Sequence, residues 1–569
     1  MCPGNPTMWI FLPMKTSDLF VRCLEVEEVE YIFGLPGEEN ADLMISLLDS
    51  SIKFILTRHE QSAAFMADVY GRLTGKVGVC LSTLGPGATN LTTGIASANM
   101  DRSRVLAITG QTDSRMLHKE SHQNMDVITM FKPITKWNWS IRNGDNVPEI
   151  VRRAFKIAKE EKAGATHIEL PQDVAKQQSI IKPINKPPEE VLRSLPNSSL
   201  IEKAVKLILE AEKPLLLVGN GCIRGNASSH VRRFVERTGI CSMNTFMAKG
   251  VISDRCERHL QTIGIKNADH ALIAMKEADL VIAIGYDLVE YSPRFWNGDF
   301  SKKIIHMDFT SAEVDTYYPP TVEIAADIDL TINAILAELQ KEKNQNPNLK
   351  YFPRLDVPDT FKRIKKELVN RVRRYTNDQS YPIKPEKLVV DVRRSLDDKD
   401  ILISDVGAHK LWIAKTYDTY HPNTCIISNG FASMGFALPG AIAAQLAFPE
   451  RKVVAMCGDG GFLMNVQELE TAVRLKLPII IVIWCDKEFG VIALKQIDEF
   501  GRKAFTEFNN PDFERLAGSF GAVGYAVKST LEFPEILEQA KMSKDLPVVI
   551  SVDINYSRNK ILLDDNFLE

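Results

Sequence analysis

Asp459 lies in a glycine-rich stretch, Gly458-Asp459-Gly460-Gly461, directly after the short apolar run Val453–Met456. Asp486 stands 27 residues further on, after a second apolar run, Leu477–Trp484. Between them, Asn465–Leu475 carries helical spacing. The pattern predicts a buried strand, a glycine turn, a helix, a second strand and a second turn. In a parallel strand–helix–strand unit both strands end on the same edge of the sheet, so the two carboxylates converge there. Glycine lets the backbone approach a ligand closely, and the N–H groups opening a helix attract phosphate. Two hard oxygen donors beside such a helix start describe a site for Mg²⁺ and a diphosphate. A glycine turn alone would equally suit a plain strand-to-helix connection; the second acid at this spacing tips the balance.

Other residues have chemistry to offer. Glu60, within Thr57-Arg58-His59-Glu60-Gln61, opens a helix running to Thr74. A carboxylate in a first helical turn is favoured by the helix dipole, so Glu60 is either a helix-start acid or a functional one. Gly85-Pro86-Gly87 with Asn90 turns a strand, Val77–Ser82, into another helix. His122-Gln123-Asn124-Met125-Asp126 reads as a loop. Asp405-Val406-Gly407-Ala408-His409 follows the strand Ile401–Ser404, as a capping turn or a ligand-binding one. Gly219-Asn220-Gly221, with Gly225, makes a Rossmann-like turn after the strand Pro214–Val218. A dinucleotide site would want an acid about 20 residues on, and Cys241–Asn244 lies there instead.

These residues need a scaffold, and the chain supplies alternating apolar runs and helical stretches throughout. That alternation predicts an α/β protein: three consecutive doubly wound domains with mainly parallel sheets. The expected boundaries are 14–182, 198–340 and 381–569, with a Pro- and charge-rich linker over Pro183–Asn197 and a charged connecting arm over 341–380. A length of 569 residues accommodates three or four domains. A net charge of -4 gives no case for nucleic acid. Nine scattered cysteines without a CxxC pair point to a reduced, cytoplasmic protein. No apolar run is long enough to span a membrane. The first fourteen residues are apolar but lack the basic start and cleavage site of a leader. They read as a loose tail, and Met14 is an alternative start.

The Gly458–Gly461 stretch with Asp486 resembles the cofactor motif of thiamine-diphosphate enzymes. His59-Glu60-Gln61, Tyr70-Gly71-Arg72 and Gly85-Pro86-Gly87 with Asn90 are similar to the motifs of their first domain. The resemblance runs from Gly34 to about Asp553, and it implies roles for individual residues. Asp459, Asp486 and the main-chain carbonyl of Glu488 would hold Mg²⁺. Ala408, His409, Gly460, Gly461 and Phe489 would surround the diphosphate end of the cofactor. The carbonyl of Ala432 and the N–H of Met434 would hold the pyrimidine, with the Met434 side chain forcing the cofactor's bent shape. Glu60 would share a proton with the pyrimidine ring. It would come from a second subunit, so a homodimer or a homotetramer with active sites at the subunit interface is implied.

Within that family the chain looks most like the acetolactate synthases. His122-Gln123-x-Met125-Asp126 and Ile284-Gly285-Tyr286-Asp287-Leu288-Val289-Glu290-Tyr291-Ser292-Pro293 are similar to segments of the catabolic, FAD-independent branch, which makes FAD doubtful. Gln123 would then orient the acceptor. Three positions depart from the pattern: Asp486 where many members have Asn, Glu488 where the residue is often small, and Gly37-Glu38-Glu39-Asn40. The resemblance implies decarboxylation of pyruvate and transfer of the remaining two carbons to a second pyruvate. A 2-oxoacid decarboxylase or oxidase on the same scaffold is the alternative, and a non-catalytic cofactor-binding subunit a more distant one.

Overall fold

A computed structural model describes residues 13–185, 194–264, 270–347 and 357–559. Most of the expected tail, and residues 186–193 of the expected linker, lie outside the described residues. The chain divides into two compact units, Met1–Glu190 and Val191–Glu569.

The first unit is built on six parallel strands. Their order across the sheet is Lys53–Leu56, Tyr31–Gly34, Gly78–Ser82, Val105–Gln111, Ala165–Pro171 and Trp137–Ser140. The central strands are buried on both faces, as in a sheet covered by helices on both sides. The Glu60–Thr74 helix shows why a sequence rich in small residues belongs here. The His59 ring accepts the N–H of Gln61 and caps the start, and Gly75 ends the helix in the left-handed conformation. The helix is buried along nearly its whole length, and its Ala64 meets Gly94 of the Pro86–Met100 helix so closely that a Cβ on Gly94 would lie 2.4 Å away. Arg72 joins the same helices with bonds to the buried carboxylates of Asp68 and Asp101. The Tyr70-Gly71-Arg72 motif therefore has a structural task.

The second unit holds two further six-stranded parallel sheets. The middle one runs His259–Thr262, Cys241–Asn244, Pro214–Val218, Leu280–Ile284, Lys303–Asp308, Val322–Ala325. The last runs Cys425–Ile427, Ile401–Ser404, Val453–Gly458, Ile480–Cys485, Val548–Asp553, Val523–Ala526. Its order in chain terms, 2-1-3-4-6-5, is also that of the first sheet.

Two expectations need correcting. The glycine turn after Val453–Gly458 is not a turn preceding the helix, because Asp459, Gly460 and Gly461 are themselves its first residues, in a helix over Asp459–Met464. That helix stops at Asn465, whose side chain bonds the main chain of Gly435 instead of facing solvent, and helix resumes only at Glu468–Arg474. The expected connecting arm is not merely an arm. The Ile328–Gln345 helix buries Ile332, Ile335 and Leu339 against one face of the middle sheet, and the Asp359–Tyr375 helix buries Phe361, Ile364 and Leu368 against the other.

Candidate active site

In the last sheet the strands Ile401–Ser404 and Val453–Gly458 are neighbours whose connections leave in opposite directions. Such a switch point opens a crevice beyond the strand ends. A cavity of about 400 Å³ lies here, and it is lined by Ala408, His409, Met434, Asp459, Gly460, Gly461, Asp486, Glu488 and Phe489. Those nine expected residues thus converge from four separate stretches of chain.

Asp459 is buried and heavily solvated by the protein itself. One oxygen accepts its neighbour's N–H, from Gly460, at 2.9 Å. The other accepts the N–H groups of Asp486 at 3.1 Å and Lys487 at 2.7 Å, and the Asn510 side chain at 2.8 Å. Lys487 adopts φ +58, which turns these consecutive N–H groups toward one acceptor. Asp486 is the second acid at the cavity. Burial, and then the neighbouring Asp459 charge, push its carboxyl up to about 7. The Glu488 carboxylate takes Lys503 at 2.6 Å and the Thr506 hydroxyl at 2.8 Å. That explains a long acid at this position: it ties the Lys487–Phe489 turn to the segment that brings Asn510 to Asp459.

His409 opens the Ala408–Thr416 helix and is buried. Burial holds its ring neutral, with a pKa lowered to about 3, partly offset by a hydrogen bond to the Asp405 main chain. Its Nε2 is buried without a hydrogen-bond partner. Next to it, the buried Lys410 ammonium donates to the Ser428 carbonyl at 3.1 Å.

The Ser428–Gly435 loop carries Met434 to the cavity. Both ends are pinned. Asn429 donates to the Glu290 carbonyl at 2.7 Å. At the other end Gly435, at φ +84, gives its N–H to Asp405 at 2.9 Å, and its carbonyl accepts from Asn465 at 2.8 Å. Asp405 neither caps its own helix nor lines the cavity. It is a buried latch for the Met434 loop, bonding also the N–H of Ala437, and burial pushes its carboxyl up to about 6. Ala432 sits in the same loop, outside the cavity lining, at φ +56, a costly conformation for a residue with a Cβ.

Glu60 and Gln123 belong to the first unit. The Glu60 carboxylate is buried at its helix start and accepts from the Asn90 amide at 3.0 Å. Gln123 is exposed, at φ +57, with its main chain against Gly85, where a Cβ would come within 2.8 Å of the Gln123 carbonyl oxygen. The Gln111 amide holds this loop by bonding the Met125 carbonyl and the buried Glu169. The first unit thus sets both residues around the start of one helix, Pro86–Met100, where the sequence predicts a turn.

Sequence reasoning missed Asn465, Asn510 and Tyr556, which lines the cavity. Asn465 carried a usable signal, since an Asn inside a predicted helix invites a main-chain bond. Asn510 and Tyr556 arrive from distant loops with no pattern.

The middle sheet has its own switch point, between Pro214–Val218 and Leu280–Ile284. There the glycines serve close packing, because a Cβ on Gly219 would lie 2.3 Å from the Gly285 carbonyl oxygen. The N–H of Asn220 is taken by the buried Glu290 carboxylate at 2.9 Å. Thr245 Oγ1 bonds the other Glu290 oxygen, and burial pushes this carboxyl up to about 7.

A diphosphate and a divalent cation fit the residues at the last sheet. His409 Nε2 is an unused polar atom at the cavity, and the Asp459–Asp486 pair is a hard-oxygen donor set whose repulsion a cation relieves. Among the described residues no helix is long and apolar enough to cross a membrane.

Three models of known families match the chain: the N-terminal TPP binding domain of thiamine pyrophosphate enzymes over residues 14–130, the central domain over 201–335, and the C-terminal TPP binding domain over 405–552. Acetolactate synthase of Bacillus subtilis is 36% identical over 552 residues, covering 97% of this chain and 95% of the relative. The probable acetolactate synthase large subunit of Methanococcus aeolicus is 34% identical, covering 96% and 92%. The catabolic acetolactate synthase of Raoultella terrigena is 33% identical, covering 96% of each.

Proposed function

The chain belongs to the thiamine pyrophosphate enzymes, as an enzyme of the acetolactate synthase type, and from that premise we propose that it condenses two molecules of pyruvate to 2-acetolactate and CO₂. One proton is taken up per turnover. The observation that carries the reading is the gathering of His409, Met434, Asp459 and Asp486 around one cavity, with the Met434 loop pinned at both ends. Bound there, thiamine diphosphate would supply the electron sink that decarboxylation of a 2-oxoacid needs.

The chain's own groups would do the rest. Asp459, Asp486 and the Glu488 carbonyl would hold Mg²⁺, Gly460 and the Gly461 N–H would border the diphosphate, and His409 would donate to it from Nε2 once that nitrogen carries the proton. Ala408 and Phe489 would flank it. The Ala432 carbonyl and Met434 N–H would orient the pyrimidine. Glu60 would hold the proton that the pyrimidine nitrogen exchanges, and Gln123 would orient the acceptor pyruvate. Phe489, Val491 and Ile492 put apolar surface along the cavity, and keeping water from the reacting atoms would protect the two-carbon fragment from being quenched as acetaldehyde. We infer a homodimer or homotetramer with the site completed at the subunit interface, working in the cytoplasm. We also infer turnover without FAD, a reading supported by the Glu290 carboxylate against the Asn220 N–H.

The test is pyruvate turnover with Mg²⁺ and thiamine diphosphate, FAD omitted, with products identified by NMR. Acetolactate as main product is expected. Acetaldehyde or acetate instead would make the protein a decarboxylase or an oxidase.

A further inference from the structure

We propose that Glu290 and Asn429 form a positioning link that ties the crevice of the middle sheet to the loop carrying Ala432 and Met434. The middle crevice is where a doubly wound sheet ordinarily admits a ligand. Here the chain fills it with one of its own side chains. Glu290 is buried, one oxygen accepts the N–H of Asn220, the other bonds Thr245, and the N–H of Asp287 lies 3.4 Å from the first. A side chain held by two other segments and by its own turn fixes the main chain that bears it. The Glu290 carbonyl is the atom that receives the Asn429 amide at 2.7 Å. Asn429 precedes Met434 by five residues in the loop whose far end is held by Asp405 and Asn465. A second connection runs beside it. Phe246, next to Thr245, packs in the core of the last sheet, under the Lys410 ammonium that bonds the Ser428 carbonyl.

The loop start is thereby referenced to the middle sheet and its end to the last sheet. Between the two, Ala432 is held in a conformation it would otherwise leave. Glu290 does not itself line the cavity, so it acts through Asn429. The inference rests on the reading that this loop meets the pyrimidine of thiamine diphosphate.

Four variants test the link: Glu290→Gln, Glu290→Ala, Asn429→Ala and the double variant combining Glu290→Ala with Asn429→Ala. Each is measured for thiamine diphosphate Kd in the presence of Mg²⁺, pyruvate kcat and KM, and melting temperature. Gln matches the neutral acid in shape, accepting from Asn220 and donating to Thr245, so Glu290→Gln is expected to stay within about twofold of wild type in Kd and kcat. Asn429→Ala is expected to weaken cofactor binding about tenfold, as loss of one well-made polar bond does, and to lower kcat with pyruvate KM unchanged. Glu290→Ala is expected to do the same, and the double variant to be no worse than the worse single one. Asn429→Ala with wild-type Kd and kcat overturns the proposal, even where Glu290→Ala fails to fold. Additive effects in the double variant overturn it too. If wild-type protein itself binds no thiamine diphosphate, the functional reading has failed rather than the link.

Discussion

Glu60 is the side chain whose replacement should separate binding from turnover. Its carboxylate is buried and bonded to Asn90, so Gln fits the same space and keeps a partner. Glu60→Gln is expected to retain thiamine diphosphate affinity and to lose about 10²–10⁴-fold in kcat, the range of a positioned proton-transfer group. Near-wild-type turnover would take Glu60 out of the proton step. Asn465→Ala strands the buried Gly435 carbonyl and should cost ~1–3 kcal/mol in denaturant unfolding, with cofactor affinity falling as the loop loosens. An unchanged unfolding midpoint would mean that water replaces the amide. At this scale the sequence was informative where a residue's position carried it: Asp459 and Asp486 directly follow strands, and strand ends are legible as the close of an apolar run. Asp405 also stood at one, yet its task of holding Gly435 depends on a loop thirty residues away, which local pattern does not encode. Glu488 looked anomalous only because its partners, Lys503 and Thr506, follow a helix later.

Among elements, the segment from Gly285 to Pro293 is sensitive to acidity. Glu290 titrates at about 7 in the fold against an ordinary 4.5, because burial opposes its charge. Asp287 adds to that shift and Arg224 reduces it, while the Tyr286 hydroxyl and Cys222 thiol also feel the Glu290 charge. The folded state therefore binds an extra proton between those values. This contribution to stability is complete below about 4.5 and is lost as pH rises through about 7. Glu290→Gln carries no such proton. Melting curves from pH 5.5 to 8 should show wild type declining relative to that variant, and parallel curves would place the proton elsewhere. Strand runs such as Ile401–Ser404 and Leu280–Gly285 were readable because both sheet faces are buried and the sequence is apolar without interruption. Trp137–Ser140, half exposed at an edge, mixes aromatic and polar residues and offers no such run. The early helix start at Asp459 was hidden by two glycines, which sequence rules assign to turns.

For the whole molecule, the repeated 2-1-3-4-6-5 order in the first and last sheets puts a switch point in each of the two. One is flanked by the start of the Pro86–Met100 helix and the other by the Asp459 cavity. Alternation of strand and helix along the chain was enough to forecast three such layers; it could not say that the Asp359–Tyr375 helix would serve the middle sheet, since a charged amphipathic helix fits any apolar face. Cofactor and metal should stabilise the fold together. At 100 times Kd the linkage gain is about 2.7 kcal/mol, visible as a rise in melting temperature with thiamine diphosphate and Mg²⁺ and expected to vanish with EDTA. An equal rise in EDTA would remove Asp459 and Asp486 from metal binding. Finally, Trp484 is wholly buried, its ring stacked on Tyr556 at 6.2 Å and 6.0 Å from the ring of His409. Since Tyr556 and His409 both border the cavity, the indole is a built-in optical gauge. Its ultraviolet emission should change when the cavity fills, with no label attached, and Trp484→Phe should silence that signal while the other five tryptophans still glow.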